Sequence, residues 1–135
     1  MPESLLPWMH LAGRILFSSF AIVFGLRHLF ALKQTAVYFQ KKQVPGPSPV
    51  AVATGLMVLV GGVFVLLGWY RFIGAGLIFL ALFPAGWALH PFWTESDPEV
   101  RQEELSHFMK VLALAGAALI VAFYSGTVWP LSLGG

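Results

Sequence analysis

Four apolar stretches, each close to 20 residues long, leave this chain few ways to fold. They run from about Trp8 to Ala31, Pro49 to Trp69, Phe72 to Leu89 and His107 to Val128. A helix of roughly 20 mostly apolar residues is what crosses the hydrocarbon core of a bilayer. A soluble fold has no way to cover so much apolar surface with the polar residues present. Only 10% of the chain is charged and 58% is hydrophobic, whereas an ordinary globular domain is about 25% charged. The surface therefore faces lipid, and backbone groups in lipid must be satisfied inside the segment, which selects helices. The reading is an all-α integral membrane protein, a single four-span domain covering residues 1–135. Trp8, Trp69, Trp87, Trp93 and Trp129 all fall at or just beyond a span end, at the headgroup level that indole favours.

Composition closes off several chemistries. Cysteine is absent, so disulfides, thiolate metal sites and iron–sulfur ligation by the protein are excluded. The net charge is +2 with the bases spread along the chain, which gives nucleic acid no patch to bind. The first charge is Glu3, where a cleaved signal peptide would carry Lys or Arg, so the first stretch is expected to be a retained span.

The links set the topology. From Lys33 to Gln43 a short amphipathic helix is expected on the membrane surface, with Tyr38 and Phe39 in the interface and Lys41 and Lys42 in water. The prolines at 45, 47 and 49 with Gly46 then break the helix, and Ser48-Pro49 supplies an N-cap and first residue for span two. Gly68-Trp69-Tyr70-Arg71 turns span two tightly into span three. An antiparallel four-helix bundle follows. Lipid gives apolar side chains no reason to associate, so small residues must permit close approach. The candidates are Thr54, Gly61 and Gly68 in span two, Gly74, Ala81, Ala85 and Ala88 in span three, and Ala113, Gly116 and Ala117 in span four. Arg27, Lys33, Lys41, Lys42, Arg101 and Lys110 lie on one side, against Arg14 and Arg71 on the other. The excess of Lys and Arg places the 90–110 connector in the cytoplasm and both termini outside.

Span one carries the most polar intramembrane stripe. Arg14, Ser18, Ala21, Gly25 and His28 follow helical steps along one face, and His10 extends it by a turn. Two readings of Arg14 stay open: an interior role in the bundle, or snorkelling to the headgroups. Arg27, His28 and Lys33 are expected to meet lipid phosphates. Pro84 is expected to kink span three and free a carbonyl near Leu80.

The connector from His90 to Lys110 holds five of the six acidic residues. Asp97-Pro98-Glu99 is a helix start, with an acceptor at the N-cap, proline at the first position and an acid in the first turn. The fourth helix should therefore begin near Pro98, before it enters the bilayer. Glu104-x-x-His107 has the spacing of a carboxylate-bridged di-iron ligand pair, but that site needs two copies and further inward acids, which are absent. No metal site and no catalytic residue is assigned. No phosphate loop or nucleophile elbow is visible. A quinone pocket asks for less: apolar and aromatic walls with one or two hydrogen-bonding groups near the interface. His28, His90, Trp93 and His107 are candidates for it. With Arg14 and Lys110 they form the set of quinone- or lipid-contact residues.

These pieces together resemble the DoxX-type small bacterial membrane proteins over nearly the whole chain. The matching elements are Arg14 with Phe17, Gly25-x-x-His28, Val44-Pro45-x-Pro47, Thr54-Gly55, Gly61-Gly62, Leu67-Gly68 and Arg71. They continue with His90-Pro91-Phe92-Trp93, Asp97-Pro98-Glu99, Glu104 and Phe108-x-Lys110. The resemblance implies a four-helix membrane bundle in a bacterial cytoplasmic membrane. It also implies an association with redox and quinone metabolism, because some relatives look like subunits of thiosulfate:quinone oxidoreductases. This chain departs from the family pattern at Val58, where relatives often carry Glu, and at Val111, where they often carry Asn. The expected function is an accessory, redox- or quinone-associated subunit without its own catalytic centre or covalent cofactor, contacting quinone or lipid. A quinone-linked oxidoreductase subunit and a structural subunit of a larger membrane complex are the alternatives. Lipid, other membrane subunits and further copies of itself are the expected partners.

Overall fold

A computed structural model describes residues 2–134. The described residues form helices and no strand: α1 (Leu6–Phe30), α2 (Leu32–Lys41), α3 (Pro47–Leu67), α4 (Arg71–Leu89) and α5 (Pro98–Phe123). Short 3-10 turns cover Glu3–Leu5, Phe92–Thr94 and Tyr124–Gly126. Four helices are long and apolar enough to cross a membrane. With 25, 21, 19 and 26 residues, α1, α3, α4 and α5 extend about 28 to 39 Å at 1.5 Å per residue. That matches a hydrocarbon core of about 30 Å. The chain is an all-α membrane bundle.

The helix ends follow local chemistry. Asp97 caps α5 by accepting a hydrogen bond from the Glu99 N–H at 2.9 Å, with Pro98 at the first position. Arg101 fastens the preceding loop by donating from Nε and Nη2 to the Glu95 carbonyl at 2.9 and 2.7 Å. At α3 the cap is not Ser48. Gly46 takes a left-handed conformation (φ 60°) and the helix starts at Pro47. Proline in the first turn lacks only an N–H that has no helical partner there. Gly68 (φ 67°) ends α3, and the Trp69 N–H reaches back to the Phe64 carbonyl at 2.9 Å, closing the helix as a Schellman turn. α4 runs through Pro84 as one helix.

Packing runs in the order α1, α3, α4, α5, with α2 laid across α3. Adjacent glycines in α3 serve two neighbours. A Cβ on Gly61 would stand 2.6 Å from the Gly74 carbonyl oxygen of α4, and one on Gly62 would stand 2.9 Å from Ala21 Cβ of α1. Small residues thus set the helix spacing, as expected in lipid. Their identity differs in α5. Ala115 and Ala118 are buried there, while Ala113 is exposed and nothing lies within 4 Å of a Cβ on Gly116. Phe39 is buried with Ala51 and Leu89 instead of lying in the interface.

α1 and α5 make no comparable contact with each other. The gap between them forms a seam that runs along the bundle. The fourth helix also ends at Phe123, short of residue 128. Residues 127–134 fold back as a strap over the α3–α4 turn, where the Leu133 N–H donates to the Leu67 carbonyl at 2.9 Å. Gly126 and Pro130 explain the early end, since neither continues a helix well. Hydropathy extended the span because Val128, Trp129 and Leu131 in the strap are apolar.

Candidate functional site

At the α2 end, the seam widens into a cavity of about 500 Å³, a typical volume for a small-molecule site. Phe20 and Phe24 of α1 face Val111 and Leu114 of α5 across it, with Val58, Ala81 and Leu82 beneath. α2 closes the side with Thr35, Tyr38 and Phe39, and His28, His90, His107 and Lys110 gather at the polar rim. The sequence candidates His28, His90, His107 and Lys110 are therefore brought together from three separate segments.

Glu104 organises the rim. Its Oε2 lies 3.0 Å from His90 Nδ1 and its Oε1 lies 3.6 Å from Lys42 Nζ. One carboxylate on α5 therefore ties down the ends of α2 and α4. The His90 and His107 rings stack with centroids 5.2 Å apart, and His107 Nε2 is 3.8 Å from Glu103 Oε1 one turn earlier. Glu104 thus turns to His90 and not to the His107 of its own Glu-x-x-His element. Among the described residues no three His, Cys, Asp or Glu side chains are grouped to hold a metal ion.

His28 packs among aromatic rings. Its ring lies between Phe24 and Phe39, with centroid separations of 4.3 and 5.8 Å. Its Nδ1 is 3.3 Å from the Phe24 carbonyl oxygen. A carbonyl only accepts, so Nδ1 carries the hydrogen and Nε2 of the neutral ring is left as an acceptor. His90 donates in the same sense to Glu104. Tyr38 adds a phenol that stays protonated: burial, then the nearby Glu104 carboxylate, push its pKa above the ordinary value. The rim therefore offers imidazole acceptors beside phenol and ammonium donors.

Two candidates lie elsewhere. Trp93 joins an aromatic cluster, with ring centroids 5.6 Å from Trp87, 5.2 Å from Phe92 and 5.9 Å from Phe108. It braces the connector and does not line the cavity. Arg14 is at the opposite end of the bundle, only 5% exposed, and donates from Nη1 and Nη2 to the carbonyls of Pro130 and Leu131 at 3.0 and 2.7 Å. It belongs to the buried face of α1. It clasps the strap at the level of the α3–α4 turn. Trp129, expected at the membrane interface, is 4% exposed and turns from the strap into the buried core.

Tyr38, Lys42 and Glu104 belong to the rim and escaped sequence reasoning as site residues. The available signal was Thr35, Tyr38 and Phe39 on one face of α2, at helical spacing.

The family model described as DoxX matches residues 9–91. The match takes in α1 to α4 and ends at Pro91, so Asp97-Pro98-Glu99 and Phe108-x-Lys110 fall outside it. Neither a curated protein nor a solved structure matches the chain. With the fold of four apolar helices and a match over more than half its length, the chain belongs to the DoxX family.

Proposed function

We propose that this membrane protein binds a quinone in the α1/α2/α5 cavity and serves as an accessory, redox-associated subunit without a catalytic centre of its own. The cavity carries this reading: apolar and aromatic walls lead from the bundle interior to a rim of His28, Tyr38, His90, His107 and Lys110. An isoprenoid-tailed headgroup needs that division, with its chain in hydrocarbon and its oxygens among donors and acceptors at the interface. At the rim, Glu104 stands between Lys42 and His90, and this acid weighs against an anionic headgroup. Val58 forms part of the cavity lining and is 1% exposed. An apolar residue there offers no group to carry a proton inward, which favours binding over independent turnover. The reading places the chain in a bacterial cytoplasmic membrane, with the rim in the cytoplasm, beside subunits that supply the electrons.

Titration of the detergent-solubilised protein with a short-chain quinone, followed by tryptophan fluorescence, tests the proposal. Saturable quenching is expected. Ala85→Phe, which fills the cavity, should weaken it about tenfold or more, and His107→Ala should weaken it a few-fold. Equal titrations of the parent protein and both variants would remove the site.

A further inference from the structure

The other end of the α1–α5 seam holds a second cavity, of about 370 Å³. Phe17 and Val65 wall it with Ala117, Ile120 and Val121 of α5, and His10, Arg14 and Trp129 stand at its polar end. His10 and Arg14 are one turn apart on α1. Both bear on the Trp129 indole: the His10 ring lies edge-on at 5.0 Å and Arg14 Cζ lies 5.8 Å from the ring centroid. Arg71 brings a second guanidinium, with its Cζ 5.1 Å from the same centroid.

Arg14 is buried and has no carboxylate within ion-pair distance among the described residues. Its two terminal nitrogens donate to neutral carbonyls, which satisfy hydrogen bonds but cancel no charge. Arg14 Nε and His10 Nδ1 have no hydrogen-bond partner in the protein. A cation held this way in a low-dielectric site attracts a counter-charge strongly. Depth points to its source. Arg14 Nη1 is 3.2 Å from where a Cβ on Gly68 would stand, so the guanidinium is level with the α3–α4 turn and its exposed Trp69 and Tyr70. Those aromatic residues mark the headgroup region. The apolar cavity extends from that level into the bundle.

We propose that this second cavity is a binding site for an acidic phospholipid. Its phosphate is held by Arg14 and His10 beside Trp129, and one acyl chain lies between α1 and α5 against Phe17, Ala117 and Val121. Arg14 Nε, which the strap carbonyls leave without an acceptor, and His10 Nδ1 are the groups for phosphate oxygens, and the unmatched charge selects anionic over zwitterionic lipid.

The test uses the full chain in mixed micelles containing equal amounts of phosphatidylglycerol and phosphatidylcholine, with lipid retained per protein measured after gel filtration. Retention should favour phosphatidylglycerol about tenfold. Arg14→Gln should abolish that preference. Because this variant also loosens the strap, Ala117→Phe provides a separate arm: it fills the acyl part of the cavity and touches no charge. Loss of the preference in Ala117→Phe, with inorganic phosphate unable to displace the lipid from the parent protein, supports the proposal. Equal retention of the two lipids by the parent protein would overturn it. So would an unchanged preference in Ala117→Phe, or complete displacement by phosphate, which would mark a site for the free anion alone.

Discussion

The two ends of the α1–α5 seam solve one electrostatic problem in opposite ways. At the α2 end, carboxylates meet part of the cationic and imidazole set: Glu104 faces His90 and Lys42, and Glu103 faces His107. At the strap end, among the described residues, Arg14 meets backbone carbonyls and an indole face. The first arrangement offsets part of the charge and presents hydrogen-bonding groups. The second leaves a full positive charge beside an apolar cavity. On the two proposals, cavities with similar walls take different headgroups, a neutral one and an anionic one. Wall composition does not separate them; the placement of acids does.

The largest expected effect comes from removing the strap clasp. Arg14→Met leaves the Pro130 and Leu131 carbonyls without donors and should cost about 3 kcal/mol, given roughly 1.5–3 kcal/mol per charge-assisted hydrogen bond. Unfolding in detergent measures the loss, and protease should cut sooner within residues 127–134. A stability unchanged within error would mean that the clasp contributes nothing.

Breaking the other end should cost less. Glu104→Gln uncouples Lys42 and His90, whose side chains are 21% and 17% exposed, so water screens part of the interaction and about 1–2 kcal/mol is expected. Quinone titration should weaken in this variant while the preference for acidic lipid stays intact. Movement of both readouts together would erase the distinction between the two ends.

Salt offers a milder separation. Raising ionic strength shortens the Debye length to about 3 Å at 1 M. Acidic-lipid retention should fall with salt and quinone titration should hardly respond. Parallel responses would show that both cavities read charge.

Tyr38 gives the finest probe. Tyr38→Phe removes one rim donor and should weaken quinone binding about five-fold, the equivalent of roughly 1 kcal/mol. The raised pKa of Tyr38 also has a definite sign. As pH rises past about 10, the unfolded chain releases this proton first. The folded protein then binds more protons, so stability falls with rising pH in that range. Ultraviolet phenolate titration of the parent protein against Tyr38→Phe should locate the missing absorbance above the ordinary tyrosine range.

Much of the fold and part of the site were legible in the sequence. Arg14, Ser18, Ala21 and Gly25, read as one face of span one, are the buried residues of α1. Asp97-Pro98 marked the start of α5. The grouping of His28, His90 and His107 at one end followed from span topology alone. Trp93 is a candidate for the same pocket and Arg14 for quinone or lipid contact; geometry puts Trp93 in the aromatic cluster of the connector and Arg14 at the opposite end of the bundle. Phe39 and Trp129 were read as interfacial because bulky aromatics near span ends favour headgroups, yet both are buried by neighbours that hydropathy does not reveal.

The spans, the Asp97 cap of α5 and the antiparallel order follow from the amino-acid sequence, because backbone desolvation in lipid and local N-cap chemistry act within a single segment. The inward face of α5 is set by tertiary packing. Lipid and helix neighbours are equally apolar, so hydrophobic periodicity carries no instruction about which side of α5 turns inward, and Ala115 and Ala118 do so by fit. The same holds for charge. Glu104 reaches His90 and Lys42, while Arg14 reaches the carbonyls of the strap, because three-dimensional proximity sets their partners. The seam between α1 and α5, with its two unlike ends, exists only once α3 and α4 have been placed between them.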